Sequence, residues 1–187
     1  VSLKSGRIVV IGATSAIATG CIRIWLKEGY REFVFVGRSL ERLERMAQDL
    51  RVKVPEARIE TFEADFEDTR KMTETVQKIA SKPISLALIA QGTLPDHKEC
   101  EKDLALCRDT LMINGVSVVL YAEALAQVMA MMGEATLAVI GSVAGDRGRK
   151  SNYVYGSAKG LVERYMEGLE HRFFGSGLKI VLIKPGP

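Results

Sequence analysis

Short apolar runs of a strand's length alternate strictly with stretches of helical periodicity, and this alternation restricts the folds open to the chain more than any other feature. Ile8-Val9-Val10-Ile11 is a β-branched run that ends at Gly12. From Ala16 the apolar residues Ile17, Cys21, Ile24 and Trp25 recur on one helical face until Gly29 stops them. Phe33 to Val36 reads as a second strand, and Leu40, Leu43, Ala47 and Leu50 follow at helical spacing. Ile59, Phe62 and Ala64 suit a third strand; Met72, Val76 and Ile79 mark the helix after it, which Pro83 closes. Leu86 to Ala90 is the fourth strand, and Leu104 to Met132 is mostly helical with a break expected near Asn114-Gly115. Leu137 to Ile140 is the fifth strand, Tyr153 to Phe174 a helix, and Lys179 to Ile183 the sixth strand. Apolar strands joined through helices form a parallel sheet covered on both faces. The expected fold class is therefore α/β, a doubly wound parallel sheet in three α/β/α layers. Ligands of such sheets lie beyond the strand C-termini near the switch in strand order, and every motif below falls at such a strand end or just after it.

Composition removes several other classes. Hydrophobic residues make up 47% and charged residues 26% of the 187 residues, the balance of a folded globular chain. The net charge is only +3, and the basic residues are scattered among acidic ones, so no nucleic-acid partner is expected. Cys21, Cys100 and Cys107 form no CxxC pair, and His97 and His171 stand apart from them and from each other, so no metal site is expected. The cysteines read as reduced thiols, with Cys100 and Cys107, seven residues apart, on one helical face. Neither histidine is assigned a role. The most apolar stretch, Val116 to Met132, is interrupted by Glu123 and Gln127 and reads as too short and polar to span a membrane. The run at Ile8–Ile11 is too short for a signal peptide, and with reduced cysteines a cytoplasmic location is expected. The chain starts without Met and stops at Lys184-Pro185-Gly186-Pro187, directly after an apolar run, so the C-terminal end is expected to be missing.

Gly12-Ala13-Thr14-Ser15-Ala16-Ile17-Ala18 links the first strand to the first helix. A small-residue turn here brings backbone N–H groups and the positive helix N-terminus onto a pyrophosphate. Ala16 and Ala18 stand where later glycines are expected. Ala18 suits close strand–helix packing, whereas the methyl of Ala16 narrows the backbone's approach to phosphate. A Rossmann-type, dinucleotide-binding domain over residues 1–187 follows. Gly37-Arg38-Ser39 ends the second strand with no acid to bond a ribose 2′-hydroxyl, and Arg38 instead suits the 2′-phosphate of NADP, with NAD left open. Asp65-Phe66 after the third strand and Ala90-Gln91-Gly92 after the fourth lie at the same edge; Asp65 either meets the cofactor or caps the next helix.

Tyr155 and Lys159 lie four apart on one face of a helix, Ser142 stands thirteen residues before Tyr155 at the end of the fifth strand, and Asn114 lies twenty-eight before Ser142. A free phenol titrates near ~10, and a protonated lysine beside it is expected to draw that value down. Tyr155 then donates its proton to a carbonyl oxygen while a nicotinamide delivers hydride to the carbon, and Ser142 hydrogen-bonds the same oxygen.

With these motifs the chain resembles the short-chain dehydrogenase/reductase family over essentially its whole length. The resemblance implies a catalytic tetrad of Asn114, Ser142, Tyr155 and Lys159, with Lys159 gripping the nicotinamide ribose and Asn114 anchoring a water. It implies cofactor contacts from the Gly12 to Ala18 turn, including Thr14, Ser15, Ala16 and Ile17, and from Asp65, Phe66, Ala90, Gln91, Gly92, Pro185 and Gly186. The departures are Ala16, Ala18 and Ala90-Gln91 in place of Asn-Ala. The block from Ser142 to Ser157 is similar to that of reductases acting on polyprenyl-phosphoryl 2-keto-pentoses, which reduce the keto group left by a partner flavin oxidase. That narrower resemblance implies a lipid-linked sugar carbonyl as substrate, with Arg147, Arg149 and Lys150 placed to attract its phosphate. An oxidoreductase on lipid or steroid-like alcohols and a non-catalytic dinucleotide sensor or scaffold are the alternatives. The helix Gly115–Met132 is apolar nearly all round, so a homodimer or homotetramer through it and Tyr153–Phe174 is expected.

Overall fold

Residues 4–186 are described by a computed structural model of the chain. The expected domain over residues 1–187 therefore includes residues 1–3 and 187, which lie outside the described residues. Six strands, β1 (Arg7–Ile11), β2 (Glu32–Gly37), β3 (Arg58–Glu63), β4 (Leu86–Ile89), β5 (Ala135–Ile140) and β6 (Leu178–Ile183), form one sheet in the order β3-β2-β1-β4-β5-β6. Every pairing is parallel. The chain winds outward from β1 to β3, then returns to the other side of β1 through β4. The switch therefore lies between β1 and β4, whose last residues Ile11 and Ile89 are register partners.

Helices α1 (Ala16–Lys27) and α2 (Leu40–Lys53) cover one face of the sheet. Helices α3 (Thr69–Ile79), α6 (Ser117–Met129) and α7 (Tyr153–Phe173) cover the other. The alternation of side chains along β1 divides it between the two cores: Ile8 and Val10 pack with α1 and α2, Val9 and Ile11 with α3 and α6. This is why β1 reads as an unbroken apolar run. Caps fix the helix starts, with Ser15 Oγ accepting from the Ala18 N–H at 3.2 Å and Ser39 Oγ from the Arg42 N–H at 3.3 Å.

Two short helices, α4 (His97–Lys102) and α5 (Leu104–Leu111), precede α6. The expected break near Asn114-Gly115 is not a break. Met112–Val116 is a π-helical turn joining α5 to α6 in one helix of 26 residues. Its widened backbone is tied by side chains, with Asn114 Nδ2 donating to the Thr110 carbonyl at 2.9 Å and Ser117 Oγ to the Ile113 carbonyl at 3.0 Å. The continuous helix Leu104–Met129 is longer than the stretch Val116 to Met132 and, with mean hydropathy 1.5 in its most apolar window, is long and apolar enough by composition to cross a membrane. Half of its most apolar window is buried inside the protein, as for a core helix. Cys100 and Cys107 fall on α4 and α5 respectively, so they do not share a helical face; Asp103 ends one helix and caps the next. All three cysteines are unpaired.

Helix α6 packs between α3 and α7 over the sheet, burying Val118, Val119, Tyr121, Ala122, Leu125, Ala126 and Met129. Its remaining apolar strip, Leu120, Ala124 and Val128, is only half-buried.

Candidate active site

At the switch between β1 and β4 the chain turns tightly into α1. Gly12 has φ +76°, and a Cβ there would lie 2.5 Å from the Gln91 backbone nitrogen, so this position admits only glycine. The turn opens a cleft lined by Gly12, Thr14, Ser15, Arg38, Gln91 and Gly92. It adjoins a cavity of about 470 Å³ lined by Arg38, Ala64, Asp65, Phe66, Lys71 and Ile113. Ala16 and Ile17 open α1 at the mouth of the turn, and the first amides of a helix have no partner within it. Gln91 is 5% exposed; its Nε2 donates to Ser117 Oγ at 3.3 Å, while its Oε1 is buried with no partner. Unpaired helix amides, a side-chain-free approach at Gly12 and an exposed guanidinium at one rim together fit a dinucleotide phosphate, while the orphaned Gln91 Oε1, an acceptor, fits a donor such as a ribose hydroxyl. Ala90 lies behind the cleft in the core, its N–H donating to the Ile11 carbonyl at 2.8 Å.

Asp65 is not the cap of the following helix. Asp68 takes that place, accepting from the Arg70 N–H at 2.9 Å and the Lys71 N–H at 3.2 Å. Asp65 accepts from the Glu67 N–H at 3.0 Å and pairs with Lys71 Nζ at 3.2 Å. Those bonds, the backbone one foremost, hold its carboxyl below the ordinary carboxylate range.

Asn114, Ser142, Tyr155 and Lys159 come from four separate places in the chain's geometry: the π-turn, the end of β5, and two successive turns of α7. Asn114 is fully buried and its Oδ1 accepts from the Thr93 N–H at 2.9 Å, pinning the loop after β4. Ser142 follows β5 and opens a 3₁₀ turn, its Oγ accepting from the Ala144 N–H at 3.1 Å. Lys159 is 3% exposed and donates to the carbonyl of Ile140, the last residue of β5, at 2.9 Å. Its Nζ lies 5.7 Å from the centre of the Tyr155 ring. Burial brings the Lys159 pKa down to about 8. The Tyr155 phenol is pushed above the ordinary tyrosine value by burial, and the neighbouring Ser142 hydroxyl opposes this. The expected lowering of the phenol by Lys159 is not seen: the phenol lies above its ordinary value because burial dominates, and the opposing influence is the Ser142 hydroxyl.

Ser142, Tyr155 and Lys159 meet because α7 sits close to what it packs on, and Gly115, next to Asn114, lets the π-turn approach the same helix, where a Cβ would lie 3.2 Å from Ala158. A Cβ at Gly145 would lie 2.8 Å from the Gly160 nitrogen, and one at Gly156 would lie 2.7 Å from the Ala144 carbonyl oxygen. Lys184, at the end of β6, bonds Asp146 and also Glu163 of α7 at 2.8 Å, tying the 3₁₀ turn, α7 and the segment Pro185-Gly186 together. Pro185 is half-buried and Gly186 exposed beyond β6. Arg147, Arg149 and Lys150 are exposed on the loop between the 3₁₀ turn and α7.

Sequence reasoning missed several wall residues. Arg42 lines the cleft at the β1–β4 switch beside Arg38, and its signal was a second guanidinium in the first turn of α2. A further cavity of about 280 Å³ beside Tyr155 is lined by Leu94, Pro95, His97, Thr110 and Asn152. Nothing in spacing linked His97 to Tyr155, because packing of α4 against α7 brings them together. Among the described residues no group of three or more His, Cys, Asp or Glu is placed to hold a metal ion.

Residues 7–187 match the family model described as short chain dehydrogenase. An uncharacterized oxidoreductase of Mycobacterium tuberculosis is 32% identical over 155 residues, which cover 82% of this chain and 62% of that protein. The chain thus spans less than two thirds of that relative's length. Sulfoacetaldehyde reductase of Chromohalobacter salexigens is 25% identical over 96% of this chain and 71% of its own length. Among solved structures, an actinorhodin polyketide ketoreductase with NADPH superposes with a TM-score of 0.84 at 20% identity, over 97% of this chain and 70% of that one.

The buried ammonium carries a stability cost with a defined pH window. Below pH 8 Lys159 is protonated in both folded and unfolded chains, and the folded state bears the full cost of burying the charge. Between pH 8 and 10.5 the unfolded chain holds a proton that the folded chain has lost, so stability from this group rises with pH. Lys159→Met is expected to stabilise the protein at pH 7 by roughly 1–3 kcal/mol, an advantage that shrinks through this window. Urea unfolding at pH 7 and pH 10 reads this directly. A variant less stable at pH 7 would mean that the bond to Ile140 outweighs the desolvation.

Proposed function

The chain belongs to the short-chain dehydrogenase family, and on that premise we propose that it is an NADP(H)-dependent carbonyl reductase in which Tyr155 is the proton donor. The observation that carries this reading is the convergence of Tyr155, Ser142, Lys159 and Asn114 beside a cleft fitted to a dinucleotide. A nicotinamide dinucleotide supplies the hydride when bound.

Every other part of the chemistry belongs to the chain's own residues. The Tyr155 phenol, which burial moves further above the ordinary tyrosine value, is protonated at neutral pH as a free phenol is, and it enters the reaction as an acid, the state that reduction requires. The carbonyl carbon gains hydride, the carbonyl oxygen gains the phenolic proton, and the alcohol leaves. Ser142 donates its hydroxyl to the same oxygen and stabilises the charge that develops there. Lys159, bonded to the end of β5, keeps a positive charge beside the phenolate left behind. Asn114 fixes the loop after β4, which carries Gly92.

Gly12, Thr14, Ser15 and the amides of Ala16 and Ile17 would receive the pyrophosphate, Gln91 and Gly92 the segment beyond it, and Pro185-Gly186 the nicotinamide side. Asp65 and Phe66 would bound the adenine. Arg38, now with Arg42 beside it, supports NADP over NAD, since two guanidiniums suit a 2′-phosphate. For the substrate we favour a keto-sugar, in the narrowest form a polyprenyl-phosphoryl 2-keto-pentose supplied by a flavin-dependent oxidation. The Ser142 to Ser157 block and the exposed Arg147, Arg149 and Lys150 support it. The half-buried strip of α6 and a groove of about 400 Å³, lined by Leu161, Tyr165, Gly168 and Leu169 with Glu123, Arg164 and Arg172 around them, support a homodimer or homotetramer through α6 and α7.

Oxidation of NADPH by the full-length protein offered a polyprenyl-phosphoryl 2-keto-pentose tests the activity. Tyr155→Phe is expected to abolish turnover while NADPH binding, read by fluorescence, survives; turnover in that variant would refute the mechanism. Arg38→Ala is expected to weaken NADPH by about tenfold more than NADH, and equal losses would remove the NADP assignment. Sedimentation at micromolar concentration is expected to give a dimer or tetramer, and a monomer would overturn the interface.

A further inference from the structure

Five helices of this chain begin with a capping side chain. Ser15, Ser39, Asp68, Asp96 and Asp103 each accept from an amide in the first turn of α1 to α5. Helix α7 begins with Asn152, one of the strongest capping residues, and its side chain makes no such bond. The failure is not looseness. The Asn152 N–H donates to the Arg149 carbonyl at 3.1 Å, and its own carbonyl accepts from the Gly156 N–H at 2.8 Å, so the residue is held from both sides. Its Oδ1 is nonetheless buried with no partner. A buried amide oxygen that forgoes an available cap and accepts nothing costs stability, and such local violations concentrate where a ligand supplies the missing bond.

The place where Asn152 stands says which ligand. It lines the cavity beside Tyr155, three residues before it, so the two side chains share one face of the helix start. Among the other polar groups of that wall Ser151 is exposed, Thr110 is engaged, and His97 Nε2 also lacks a hydrogen-bond partner but faces the Glu101 carboxylate. Thr110 Oγ1 donates to the Leu106 carbonyl at 2.7 Å. His97 packs edge-on against Tyr153 at 4.4 Å, with its Nε2 3.3 Å from Glu101 Oε1 though not aligned for a hydrogen bond. Asn152 Oδ1 is thus a free, neutral acceptor next to the proton donor, and it calls for a neutral donor on the substrate. We propose that Asn152 is a specificity-determining residue whose Oδ1 accepts a hydrogen bond from a hydroxyl on the carbon adjacent to the carbonyl that Tyr155 protonates. The site then takes α-hydroxy carbonyl compounds as a class. This rests on the reductase reading above and adds to it the group that reads the substrate.

The test uses the full-length protein with NADPH and three ketones of one skeleton: 2-butanone, 1-hydroxy-2-butanone and 1-methoxy-2-butanone. The unmodified protein is expected to favour the hydroxy ketone in kcat/KM by about tenfold or more over both others, because only it carries a donor. Asn152→Ala is expected to remove that preference, the loss falling on the hydroxy ketone. Binding is read apart from turnover by the rise in Tm that each ketone gives in the presence of NADP. There the hydroxy ketone should stand out for the unmodified protein and not for the variant. Equal treatment of the three ketones by the unmodified protein, or an Asn152→Ala loss shared equally among them, would overturn the role of Asn152 and leave the reductase reading intact. Reduction of none of them, with none raising Tm, would overturn the role of Asn152 as well, and the 2-keto-pentose assay then decides the reductase reading separately.

Discussion

A lysine ammonium that is 3% exposed and bonded to one backbone carbonyl is the interaction on which the rest of this site depends. An isolated cation in a protein interior is unfavourable by several kcal/mol unless it is hydrogen-bonded, so α7 must bring Lys159 within reach of the end of β5. That reach demands near-contact between backbones, which is why glycine stands at Gly145 and Gly156, where any Cβ would collide with α7 or with the 3₁₀ turn. Once α7 is held there, the rest follows from helix geometry. Tyr155, one turn earlier, lies over the strand end, and Ser142 at that end lies beside it. The site is a by-product of docking one helix closely, and the burial that makes the docking costly also raises the phenol above its ordinary value.

The sheet contributes the second half of the arrangement. Because β1 and β4 are neighbours although three helices and two strands separate them in sequence, their C-terminal ends leave a crevice with no helix across it. Gly12 and Gln91 press together at its floor, Arg38 and Arg42 stand at its rim, and Asn114 lies against Gly92. Ala16 in place of a glycine does not close the turn, since its residue lies at the exposed start of α1 and the tight contact is at Gly12.

Much of this was legible without coordinates, for physical reasons that differ from residue to residue. Strands β1 and β2 are buried on both faces, so each reads as an unbroken apolar run. Tyr155 and Lys159 were legible because a four-residue spacing has one meaning on a helix, and Ser142 because strand ends are where such sheets hold ligands. Helix α4 was not, since six residues with one apolar member, Cys100, are too few to show a period. Asn152 was invisible as a site residue because an asparagine before a helix reads as a cap, and only its unmade bond says otherwise. The π-turn reads from sequence as a break, because Asn-Gly signals interruption while the side-chain bonds that carry the helix through depend on three-dimensional register. The Tyr155 pKa went the other way from expectation because spacing reveals a neighbouring charge and not the depth at which both groups sit.

The π-turn at Met112–Val116 has a consequence for how this chain tolerates insertions and deletions. A π-turn holds one residue more than the α-helical turn it replaces, and each helical residue advances the side chains by roughly 100° about the axis. Helices α5 and α6 therefore present their faces out of phase with what an uninterrupted α-helix would give. Loss of a single residue from this turn would yield a more regular helix and a worse protein. It would either rotate α5 away from α7 or turn the buried face of α6 out of the core, and Asn114 would no longer point at the loop after β4. The regularity that usually accompanies stability is here opposed to it, and the extra residue behaves as a fixed spacer between two packing surfaces.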